Sequence, residues 1–308
     1  MPDRHLYRLS LFSNQSSSES STLSQSDEYR TFRSRYPQRR IVVDENSSQV
    51  WTYYDSGPKE ITCPLICLPP VSGTADVFFL QVLRLHQQGY RVIAIHYPTY
   101  WTLREFVFGL IKLLDHLHVD KVHMFGASLG GFLAQKFAEQ TAHCPRIESL
   151  ILCNSFADTS IFNYTEAAQL FWMMPTMVLK KMIMGKNALE MPTTDETIKD
   201  SLRFMSERLD KLVQPELAAR LTLNCMSSYV IPQSLQELNV TIIDVFDRCA
   251  ISETVRDELH KFYPLARRAH LKTGGNFPYL SRADEVNMHI LVHLRQFTGT
   301  KYDACLHS

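Results

Sequence analysis

From residue 65 onward, short apolar runs alternate with segments whose apolar residues recur at helical spacing. Strands are predicted at 65–68, 91–95, 122–125 and 150–153, with helices at 77–86, 104–117 and 132–139 between them. The alternation resumes with a strand at 240–246, a helix after Ser252 to 262, a strand at 269–272 and a closing helix at 283–297, in which Val286, Ile290, Leu294 and Phe297 share one face. Strands separated by helices of this length imply right-handed crossovers and an α/β fold with a doubly wound, mostly parallel sheet. Residues 160–235 break the pattern: they lack strand-like runs and carry helical periodicity at 197–212 and 216–229, as expected of a helical cap inserted into the sheet.

The organisation that follows is a core in two parts, 41–159 and 236–300, around the cap, with a short tail at 301–308. Runs at 41–43 and 50–54 flank an Asn46-Ser47-Ser48 turn and predict a hairpin at a sheet edge. Residues 13–29 are dominated by serine and other polar residues and predict disorder, and the arginines of 30–40 read as a solvated charge run, so the whole stretch 1–40 is expected to be a disordered arm.

Composition narrows the class. The chain has 308 residues, 45% hydrophobic content and a formal net charge of zero, which argues against a nucleic-acid binder. Seven scattered cysteines without a C-x-x-C pair read as reduced core thiols, and no run reaches signal-peptide or membrane-span length. The expectation is a soluble, cytosolic protein with no metal and no cofactor.

The candidate chemistry begins at 126–131, where the predicted strand runs into G-A-S-L-G-G ahead of a helix. This is the G-x-S-x-G nucleophile elbow in its strand, turn and helix setting, and it places Ser128 at the nucleophile position of an α/β-hydrolase fold. In such folds the oxyanion donors are backbone N–H groups, one after the nucleophile and one in the loop after the third strand; here those are Leu129 and Val71. The base position precedes Phe277-Pro278 and holds Asn276, which cannot take up a proton near neutral pH. The acid position falls on Cys249, with Asp247 two residues early and Asp158 as a second alternative. Of the other histidines, His123, His270 and His289 read as core or surface residues and not as replacement bases.

Several strings resemble the maspardin family: L-P-P-V-S-G-T-A-D at 68–76, L-L-D-H-L at 113–117, the elbow helix at 125–139, L-I-L-C-N-S-F at 150–156 and R-R-A-H-L-K-T-G-G-N-F-P-Y at 267–279. The resemblance implies an α/β-hydrolase-like protein without hydrolase activity, cytosolic and peripherally associated with endosomal and trans-Golgi membranes. It further implies an adaptor whose partners are an aldehyde-dehydrogenase-like protein and the cytoplasmic tail of a T-cell co-receptor, the latter as a negative regulator of signalling.

The cap supplies a candidate contact surface, since six of eleven methionines (Met173, Met174, Met177, Met182, Met184, Met191) crowd one segment with Phe171, Trp172 and the pair Lys180-Lys181. Methionine-rich faces adapt to varied partners, and aromatic residues beside lysines suit a membrane surface. The plainer reading is that these side chains pack the cap onto the sheet. For function, the leading expectation is a silent hydrolase fold used as an adaptor or binding protein; a weak serine esterase or thioesterase with a non-standard base, or a receptor for a hydrophobic small ligand, are the alternatives.

Overall fold

The computed structural model describes residues 22–44, 49–162, 168–184 and 193–306. The Asn46-Ser47-Ser48 turn, Met191 and the arm before residue 22 lie outside the described residues. An eight-stranded sheet runs in the order β1-β2-β4-β3-β5-β6-β7-β8. Its strands are β1 Arg39–Val42, β2 Val50–Ser56, β3 Leu65–Leu68, β4 Val92–His96, β5 Val122–Ala127, β6 Ile147–Cys153, β7 Asn239–Val245 and β8 Arg267–Leu271. Among the strands of this sheet, β1 with β2 and β2 with β4 pair antiparallel, and β1 forms the edge as the hairpin pattern predicts. All pairings from β4 through β3 to β8 are parallel.

Alternation along each strand feeds two separate cores, because successive side chains leave a strand on opposite faces. Leu65 and Cys67 of β3, with Phe125 of β5 and Ile151 of β6, face α2 (Phe79–His86) and the closing helix. Ile66 and Leu68, with Met124, Leu150 and Leu152, face α3 (Leu103–His116) and α4 (Leu129–Gln140). Burial of each such large apolar side chain contributes roughly 1.5–3 kcal/mol. A capping box starts α3: Thr102 Oγ1 accepts from Glu105 N, and Glu105 Oε2 accepts from Thr102 N. All seven cysteines are free, with Cys144 exposed, Cys249 half-buried and the others buried. Among the described residues, no helix is long and apolar enough to cross a membrane.

The arm departs from the expectation. Residues 22–40 are ordered, with a helix α1 at Asp27–Arg35 capped by Ser26, whose hydroxyl accepts from Tyr29 N. Composition concealed a stripe of three aromatics at helical spacing: Tyr29, Phe32 and Tyr36 are buried, and the Phe32 ring centroid lies 4.6 Å from that of Tyr54. Arg33 reaches the Tyr54 hydroxyl and Arg35 the His86 ring, so these two arginines of the charge run have aromatic partners.

Among the described residues, three longer helices build the cap between β6 and β7: α5 Thr176–Met184, α6 Glu196–Asp210 and α7 Gln214–Cys225. They share a small core of their own around Phe171, Leu179, Leu209 and Leu217. After β7 come α8 (Glu253–Phe262), with Ser252 as its N-cap, and, after β8, a single turn at Pro278–Ser281 and α9 (Ala283–Leu294).

Candidate functional site

The sharp turn after β5 puts Ser128 at φ 49°, ψ −116°, a strained conformation for a residue with a side chain. Strand and helix pass closely enough that a Cβ on Gly126 would stand 2.5 Å from the Gly131 Cα, and one on Gly130 would run into the Leu68 carbonyl. The elbow is tied to the end of β6, since Ser128 N donates to Cys153 O and Ser155 Oγ to Ser128 O, each at 3.0 Å. Leu129 is the first residue of α4, so its N–H has no partner within the helix. Among the described residues, no turn or loop hydrogen bond uses the Val71 or Leu129 N–H.

The base and acid positions are committed elsewhere. Asn276 Oδ1 accepts from Ala250 N at 2.6 Å, which ties the loop after β8 to the loop after β7. Asp247 accepts from Gly274 N and Gly275 N at 3.0 and 3.1 Å, so its carboxylate shapes the glycine turn, where Gly275 has φ 61°. The Cys249 thiol donates to Ile251 O at 3.2 Å, and burial pushes its pKa up. Asp158 accepts from Ser160 N and serves as a local turn cap. Asn154, which sequence reasoning passed over, reaches from the end of β6 to Gly275 O at 3.0 Å. Its φ of 41° was the kind of conformation that an asparagine just past a strand end tolerates.

Cap residues close over this end of the sheet. Arg220 of α7 is buried, stacks 4.6 Å from the Tyr97 ring centroid, and donates to the carbonyls of Val71 and Gly73 in the loop after β3. It also donates to His96 Nδ1 at 3.4 Å, while His96 Nε2 donates to Glu216 Oε1 at 2.8 Å. Both ring nitrogens are therefore occupied, and burial lowers the His96 pKa, so this imidazole is a clasp between cap and loop and not a spare base. Arg208 of α6 forms a buried ion pair with Asp76, joined by the Tyr29 hydroxyl. At the other end of α6, Arg282 links Thr273 to Asp195 and Thr197. A cavity of about 240 Å³ remains between α6 and the glycine loop, lined by Thr193, Ile198, Leu202, Asp247, Arg248 and Asn276.

The candidate contact residues divide. Met174, Met182 and Met184 pack against the cap core, whereas Trp172, Met173 and Met177 are exposed, Met177 at 84%. Gln214 Nε2 donates to the carbonyls of Trp172 and Met174, which brings the exposed Val213 beside them. Lys180 pairs with Asp210 at 2.8 Å, and Lys181 is exposed.

The family model described as the alpha/beta hydrolase fold matches residues 16–182. The chain is 60% identical to maspardin of Danio rerio over 279 residues, covering 91% of this chain and 89% of that protein. The chain belongs to the maspardin family. Human maspardin is 58% identical over the same length, covering 91% of this chain and 90% of that protein. Solved structures share the fold at low identity. A carboxylesterase of Nitrososphaera gargenis superposes with TM-score 0.68 at 18% identity, covering 84% of this chain and 99% of its own. The enol-lactonase of Burkholderia xenovorans gives 0.67 at 15%, covering 83% and 100%. In this maspardin-family chain, the elbow is therefore set in an α/β-hydrolase scaffold.

Proposed function

We propose that this chain is a non-catalytic α/β-hydrolase-fold adaptor, acting in the cytosol and peripherally at endosomal and trans-Golgi membranes. The observation that carries the first part is the Asn276 carboxamide: its oxygen is bonded to Ala250 N, and no proton acceptor stands at the base position. Support comes from the acid position and its neighbour, since Asp247 is held by two glycine N–H groups and Cys249 is a half-buried thiol whose pKa burial pushes up. The exposed face of Trp172, Met173, Met177 and Val213 on the cap supplies a surface for protein partners. The partners implied by the resemblance, an aldehyde-dehydrogenase-like protein and a T-cell co-receptor tail, belong to this proposal.

One feature favours a competing reading, a weak esterase: the strained Ser128 geometry is kept, with the Val71 and Leu129 N–H groups uncommitted. A short-chain ester assay with fluorophosphonate labelling separates the two. The adaptor reading expects hydrolysis at the buffer rate and no labelling at Ser128; turnover abolished by Ser128→Ala would overturn it.

A further inference from the structure

Away from the elbow, α2 and α9 leave a surface groove of about 430 Å³ between them. We propose that this groove is a docking site for an extended acidic peptide segment. The proposal does not depend on the state of the Ser128 site.

Its floor contains Asn287, which is 3% exposed and whose Oδ1 is buried without a hydrogen-bond partner. Buried polar atoms are nearly always paired, so an orphan acceptor lining a groove points to a donor that arrives from outside. A carboxylate alone carries no such donor. A peptide group carries a donor and an acceptor side by side, and a carboxamide can pair with both at once.

The rims set the charge. Arg84, in the last turn of α2, and Arg295, just past α9, are exposed and have no carboxylate partner among the described residues. Asp284 lies at the opposite end of α9, so two arginines face one carboxylate and the rims carry a net positive charge. Met288, 52% exposed, and Val292 follow one another at helical spacing above the buried Leu291 and offer apolar footholds. From Asp284 to Arg295 a helix rises about 16 Å, the length of about five extended residues. The groove thus fits a short strand-like segment in which apolar and acidic side chains alternate.

The test uses the whole chain and two fluorescein-labelled hexapeptides, one alternating leucine with glutamate and one alternating leucine with lysine, followed by fluorescence anisotropy. The glutamate peptide is expected to bind at least about tenfold more tightly, with affinity falling as salt rises. Arg84→Glu with Arg295→Glu should invert that preference, and Arg84→Glu alone, at an exposed position, should weaken it while leaving the unfolding curve unchanged. An ester in place of the central peptide N–H should weaken binding to the native chain and have no further effect on Asn287→Ala. The proposal is overturned by equal binding of both peptides, by no binding up to about 1 mM, by an ester effect that persists in Asn287→Ala, or by displacement with equimolar glutarate or inorganic phosphate.

Discussion

Arg208 on the cap helix α6 and Asp76 in the loop after β3 form an ion pair at 2.7 Å, with both side chains almost fully buried. The Tyr29 hydroxyl donates to the same Asp76 oxygen at 2.6 Å and lies 2.6 Å from Arg208 Nη1, so one carboxylate joins α1, the core and the cap. Burial alone would raise the Asp76 pKa, but Arg208, Thr74 and Tyr29 together hold it below the usual carboxylate range.

Removing one partner of a buried pair leaves an uncompensated charge, which costs about 3–5 kcal/mol. Arg208→Ala should therefore lower the unfolding free energy obtained from urea titration by about that amount. It should also make α6 the first site cut in limited proteolysis. A smaller loss in Tyr29→Phe than in Arg208→Ala is expected, because the ion pair survives there.

Asn276→His alone should leave ester hydrolysis at the buffer rate. An imidazole placed there would lack an orienting acid, since Asp247 is bonded to Gly274 N and Gly275 N and Cys249 to Ile251 O. The double change Asn276→His with Cys249→Asp should exceed either single change, measured as kcat/KM on a p-nitrophenyl ester. A large gain from the single histidine would show that an existing carboxylate can already orient it.

Stability should fall as pH drops below about 6.5, the unfolded histidine value. His293 is buried between Thr241 Oγ1 and Ser149 Oγ, and burial pushes its pKa down to about 3. Its folded pKa is depressed, so between about 6.5 and 3 the unfolded chain binds the extra proton and stability declines, by up to about 1.4 kcal/mol per pH unit. His123, which shares Ser149 Oγ and bonds Tyr302 O, and His96 are shifted in the same direction by burial. His293→Gln should flatten this slope in urea titrations across that window.

Trp172→Ser with Met177→Ser should leave stability within about 0.5 kcal/mol, as is usual for exposed positions. The same pair should weaken retention of the chain on anionic vesicles or on a partner protein, read by co-sedimentation or pull-down. Unchanged retention would remove this face from the adaptor reading.

Much of the fold was legible because strand and helix periods differ so clearly: β3 and β5 match their apolar runs to within two residues. The positions of Ser128 and Asn276 could be read from the elbow and the G-N-F-P string, and that of Cys249 from the string after the seventh strand, whereas the partners of these side chains could not. What stayed hidden depends on distance in sequence. Tyr29 meets Arg208 across 179 residues and His96 meets Glu216 across 120, and no local spacing announces either contact. The two aromatics of α1 and Tyr36 at its C-cap were obscured by serines and arginines around them, since composition averages over the one face that is buried.

The bond from Ala250 N to Asn276 is made by a side chain that neither gains nor loses a proton in the range where histidine does. A histidine at this position would let go of its acceptor role on charging. The carboxamide keeps the loops after β7 and β8 joined whether the surroundings are neutral or mildly acidic, so this tie between the two loops does not depend on pH across that range.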